Sequence, residues 1–127
     1  MKNLILALSL TVLAACISTP IDTVAVGSDT PMSRQIGRVL ARHDAYVKAD
    51  IELESAAAFE SALAEADSVR TLVMLPEVRR DVLGGALSPV MDRHDAYVQK
   101  DPALENLERD SYLASTAQLR QLLLSFP

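Results

Sequence analysis

Arg42-His43-Asp44-Ala45-Tyr46-Val47 recurs letter for letter as Arg93-His94-Asp95-Ala96-Tyr97-Val98, 51 residues further along a chain of 127. The match continues on the C-terminal side as Asp50/Asp101, Leu53/Leu104 and Glu54/Glu105. After a one-residue slip it resumes as Ser61/Ser111, Leu63/Leu113, Ala64/Ala114, Arg70/Arg120 and Leu72/Leu122. Self-similarity at a fixed offset is the mark of one structural unit used twice. Each unit reads as helix, short loop, helix. A single helical hairpin cannot bury its apolar faces, whereas two can do so by packing together. The expected fold is therefore all-α: two repeated helical hairpins, about 32–74 and 86–125, in a small four-helix bundle. Short loops make consecutive helices antiparallel.

The flanking sequence fills in the elements. Thr30-Pro31 is an N-cap followed by proline in the first turn. Met32, Ile36, Val39, Leu40, His43 and Val47 then recur at spacings of three and four, the signature of one helix face, with an end near Ala49. Asp50 is placed to cap a second helix, with Glu52 and Glu54 in its first turn and Leu53, Ala56, Phe59, Leu63, Ala66, Val69 and Val73 inward. Pro76 ends it. Glu77–Leu83 then reads as a short extra helical segment between the hairpins, and Gly84-Gly85 as a break. Ser88-Pro89 and Asp101-Pro102 resemble the cap-and-proline start, giving helices to Lys100 and to about Ser125. Leu122-Leu123-Leu124-Ser125-Phe126 is expected to close the bundle.

Composition agrees with helices. Half the residues are apolar, aromatics make up 4%, and tryptophan is absent. The 12 Lys and Arg against 17 Asp and Glu give a net charge of −5, which argues against a nucleic-acid binder. Arg70, Arg79 and Arg80 are too few for a phosphate-binding patch and read as solvated charges. Glu52, Glu54, Glu60, Glu65 and Asp67 read as a wet face of the second helix. No Gly-rich phosphate loop and no G-x-S-x-G turn occurs.

The chemistry-bearing residues are thus Arg42, His43, Asp44 and Tyr46 with Arg93, His94, Asp95 and Tyr97, which include both histidines of the chain. Both histidines fall on the apolar stripe, about 10 Å below the same end of the bundle. A His-Asp pair could ligate a metal or serve hydrolysis. A third histidine and the Glu-x-x-His spacing of carboxylate-bridged metal bundles are both absent. The favoured reading is a helix-end packing motif with no cofactor, no metal and no catalytic residue. Asp44 lies four residues before Lys48, a favourable spacing, but Gln99 occupies the matching place in the second copy. A negative charge near a helix C-terminus needs a partner, and an arginine of the other unit is a candidate.

The N-terminus carries an address. Lys2 precedes an apolar run, Leu4–Ala15, that is too short to span a bilayer unaided and suits a secretory signal. It closes in Leu13-Ala14-Ala15-Cys16. This resembles the lipobox of bacterial lipoproteins with a type II signal peptide. The resemblance implies cleavage before Cys16, lipidation of Cys16, and residues 1–15 as the signal. Acyl chains at about 0.8 kcal/mol per buried CH₂ would make the anchor permanent. Ile17 in place of aspartate points to the outer membrane, facing the periplasm. Residues 16–30 are then a tether of roughly 20 Å reach, with Thr23–Val26 as coil. Arg93–Val98 followed by Asp101-Pro102 is also similar to small helical lipoproteins of phages and prophages, which alter the host envelope. The expected function is a lipid-anchored, non-enzymatic structural or interaction module that meets the membrane through its lipid and another envelope protein through its surface.

Overall fold

The computed structural model describes residues 22–53 and 56–124. The lipobox, Cys16 and Ser125–Pro127 lie outside the described residues. The chain runs β1 (Thr23–Ala25), α1 (Pro31–Ala49), α2 (Ala56–Val73), β2 (Glu77–Arg79), α3 (Arg80–Lys100) and α4 (Asn106–Leu124). Four helices pack against one another, with one small antiparallel sheet, so the fold is broadly all-α. No helix among the described residues is long and apolar enough to cross a membrane.

α1 begins as its sequence dictates. The Thr30 hydroxyl accepts from the Ser33 amide at 3.1 Å, and Pro31 occupies the first turn, where its missing N–H costs nothing. Ile36, Val39, Leu40, His43 and Val47 form its buried stripe, all at 0–1% exposure. Ile36, Val39 and Leu40 meet Ala66 and Val69 of α2, Leu83, Leu87, Val90 and Met91 of α3, and Leu119 and Leu123 of α4 in one core. Leu123 thus belongs to the closing contact expected of the C-terminal leucines, while Leu122 is half exposed.

Three expectations are corrected. The stretch read as coil is β1, which pairs Thr23 with Arg79, Val24 with Val78 and Ala25 with Glu77. Val24, Val26 and Val78 seal the core there. Gly27 follows at φ +93°, a conformation that suits glycine, and its amide donates to the Val73 carbonyl at 2.9 Å. Secondly, Glu77–Leu83 is not an extra helical segment and Gly84-Gly85 is not a break. Glu77–Arg79 is β2, and α3 runs unbroken from Arg80 through both glycines and Pro89. Pro89 lies inside this helix, where it removes one backbone donor from the ladder. Thirdly, α2 starts at Ala56 and α4 at Asn106, later than the caps at Asp50 and Asp101 suggested. Those two aspartates end the preceding helices instead. Their backbone amides donate to Val47 and Val98, and their side chains accept from the amides of Glu52 and Ala103.

Gly85 is exposed, and a Cβ built there meets nothing within 4 Å. Gly85→Ala should therefore stabilise the fold by about 0.5–1 kcal/mol by stiffening the unfolded chain. A thermal melt checks this. A lower midpoint would mean that Pro89 requires the glycine four residues before it.

Candidate functional site

The two hexamers occupy α1 and α3, and the fold brings them face to face with their partners crossed. Arg42 Nη1 donates to His94 Nε2 at 3.0 Å, and Arg93 Nη1 donates to His43 Nε2 at 3.1 Å. Arginine can only donate, so each Nε2 is an acceptor and each imidazole carries its proton on Nδ1. That proton is donated to the next residue: His43 Nδ1 to Asp44 Oδ1 and His94 Nδ1 to Asp95 Oδ1, both at 2.8 Å. Both imidazoles are fully buried, and both of their nitrogens are engaged.

The carboxylates are held from a second side. Arg70 of α2 donates to Asp44 Oδ2 at 2.6 Å, and Arg120 of α4 donates to Asp95 Oδ2 at 2.7 Å. The arginine expected from the other unit is thus one from the same unit, and Asp44 reaches it in preference to Lys48. Arg70 also pairs with Asp67 and Arg120 with Asp92. Arg79 pairs with Asp81, and Arg80 pairs with Asp22 and donates to the Leu122 carbonyl. The arginines read as solvated charges are therefore partnered. Glu65 leaves the wet face of α2, half-buried beside Arg93 at 3.3 Å.

Nearer the loops the crossing repeats in the tyrosines. Tyr46 donates to Asp101 Oδ2 at 2.7 Å, and Tyr97 donates to Asp50 Oδ2 at 2.6 Å. Their rings stack on each other, centroids 5.4 Å apart and planes 8° from parallel. All eight residues singled out from the hexamers thus join one layer. Asp50, Asp101, Arg70 and Arg120 complete it. The repeat marks these four as matched pairs, while the sequence alone suggests helix caps for the aspartates and a solvated charge for Arg70.

Electrostatics follow from this wiring. Burial lowers the His43 pKa below the usual 6.5. The bond and charge of Asp44 pull against burial, and the charges of Arg93 and His94 add to it. Burial and the bond to Asp101 push Tyr46 up to about 12, and burial with Asp50 does the same for Tyr97. The bonds from Tyr97 and Tyr46 hold Asp50 and Asp101 below the usual 3.8. Asp95 is also lowered: burial works against its charge, but His94, Thr116 and Arg120 all donate to it and prevail.

The two halves are not identical. Thr116 places its hydroxyl 2.7 Å from Asp95 Oδ1, while Ala66 holds the matching place in the first unit. Tyr112 lies under Arg42, with Cζ 3.5 Å from the ring centroid, a cation–π contact. The matching residue beside Arg93 is Ala62. At the loop end a cleft of about 530 Å³ opens between α1 and α3, lined by residues that include Tyr46, Asp50, Arg93, Tyr97 and Lys100.

Among the described residues no three His, Cys, Asp or Glu side chains are grouped so as to hold a metal ion. No family model, curated protein or solved structure matches the chain.

Proposed function

We propose that the protein is a lipid-anchored, non-enzymatic interaction module of the bacterial cell envelope, fixed through Cys16 to the outer membrane and facing the periplasm. The lipobox-like Leu13-Ala14-Ala15-Cys16 after a short apolar run supports the anchor. The observation that carries the non-enzymatic reading is the engagement of both nitrogens of both histidines. A metal or a substrate proton would have to displace a 2.8 Å bond to aspartate or a bond of about 3 Å from arginine. General acid–base chemistry needs a group within reach of substrate, and both rings are fully buried. The layer's chemistry is spent on joining the two hairpins, which leaves the outer surface for partners.

Two measurements test this. Expression in a Gram-negative host with labelled fatty acid should yield a labelled protein that sediments with membranes. Cys16→Ser should remove both the label and the cleavage before residue 16. An unlabelled, freely soluble wild-type protein would refute the anchor. Metal analysis of the purified, untagged protein should find no stoichiometric ion. Bound metal that disappears in His43→Ala, with the helical spectrum retained, would make the paired His-Asp groups a metal or hydrolytic site instead.

A further inference from the structure

The two halves use the same guanidinium differently. Arg42 directs Nη1 to His94 and lays its face on the Tyr112 ring. Arg93 directs Nη1 to His43 and Nη2 to Glu65, so its edge is engaged in the same way. Among the described residues no ring lies over it. Where the second unit has Tyr112 and Ser115, the first has Ala62 and Glu65. Tyr112 also lies near Tyr46, whose ionisation it disfavours. The matching neighbours of such a ring in the other half are Arg93 and Tyr97, and both line the loop-end cleft. The repeat gives the place of that ring to Ala62, and the cleft opens on Arg93 and Tyr97, the two residues such a ring would meet.

We propose that this cleft binds an aromatic side chain, tryptophan or tyrosine, of a partner polypeptide, stacked on Arg93 beside the Tyr97 ring. The cleft, about 530 Å³ in volume, is open to solvent along one side. Ala49 and Ala96 keep the walls low, and Ile51, 95% exposed, supplies an apolar rim. Aromatic anchors seated in pockets carry much of the energy of protein interfaces, and a guanidinium face is a favourable seat for one. The partner's being a protein rests on the interaction-module reading; the cleft and its preference for an aromatic ring do not.

The probe is N-acetyl-tryptophanamide, titrated into the full chain in mild detergent. The protein contains no tryptophan, so the indole emission belongs to the probe alone. Saturable changes in that emission and in the methyl NMR signals of Ala49 and Ala96 are expected, with N-acetyl-leucinamide at least fivefold weaker. Ala96→Leu, which fills the cleft from an exposed position, should weaken the probe at least tenfold. Ala49→Leu serves the same purpose if the first variant loses its helical spectrum. Both variants take up probe into detergent equally, so only their difference from wild type counts. No saturable binding, equal binding of the leucine probe, or unchanged binding in a folded, filled variant would each overturn the proposal. None of these outcomes touches lipidation of Cys16, which the fatty-acid label reads separately.

Discussion

His94→Ala should lower the free energy of unfolding by about 3 kcal/mol, a large share of the stability of a small domain. The ring is fully buried, so its loss leaves a cavity in the centre of the layer. It also strips Arg42 Nη1 of its acceptor and Asp95 Oδ1 of a donor, and a buried polar group without its partner costs about 1–3 kcal/mol. His94→Phe separates the two effects. It restores the volume but not the bonds, and should cost about 2 kcal/mol. His43→Ala should behave as His94→Ala does. The double variant should cost less than the sum of the singles, because both rings belong to one network. Denaturant titration measures all four. Near wild-type stability in both alanine variants would mean that the crossed bonds contribute nothing to the fold.

Mild acid should destabilise the protein well before its carboxylates titrate. In the folded chain His43 accepts from Arg93 through the nitrogen that a second proton would need. Its pKa is accordingly held below 6.5 by burial and by the facing Arg93 and His94, against the pull of Asp44. The unfolded chain therefore binds the proton more readily than the folded one. The stability this group contributes is fully present above pH 6.5 and is lost as pH falls from there through the folded pKa. Between those two values each such proton costs about 1.4 kcal/mol per pH unit. Asp50, Asp95 and Asp101, held below 3.8, add a second loss only as pH falls below that value. Thermal melts from pH 8 to pH 5 should show a plateau and then a fall beginning near 6.5. A flat profile down to pH 5 would show that the buried imidazole takes its proton without disturbing the arginine.

Much of this arrangement was legible in the sequence because it is local and periodic. The three-and-four spacing around His43 and His94 placed both rings on the buried stripe, and the shared offset placed them in one layer. The helix ends at Ala49 and Lys100 followed from the same pattern. The crossing was not legible. Nothing in the hexamer says that Arg42 serves the other copy's histidine and not its own, because that depends on how α1 and α3 face each other. β1 was missed for a similar reason: its partner lies some 54 residues away, and three residues carry no readable alternation. The start of α3 is legible in the repeat. Carried forward by the repeat offset, Pro31 falls on Val82 and not on Pro89, which puts the helix start close to Arg80. The Ser88-Pro89 dipeptide resembles a start because a proline in mid-helix is unusual.

The crossed bonds also bear on how this chain can change over generations. An exchange at Arg42 is felt at His94, and one at Arg93 is felt at His43, so neither hexamer drifts at its own expense alone. Around the crossed bonds the two halves differ: Lys48 corresponds to Gln99, Ala62 to Tyr112 and Glu65 to Ser115. The same six letters serve in both places, and each copy supplies the hydrogen-bonding partner of the other.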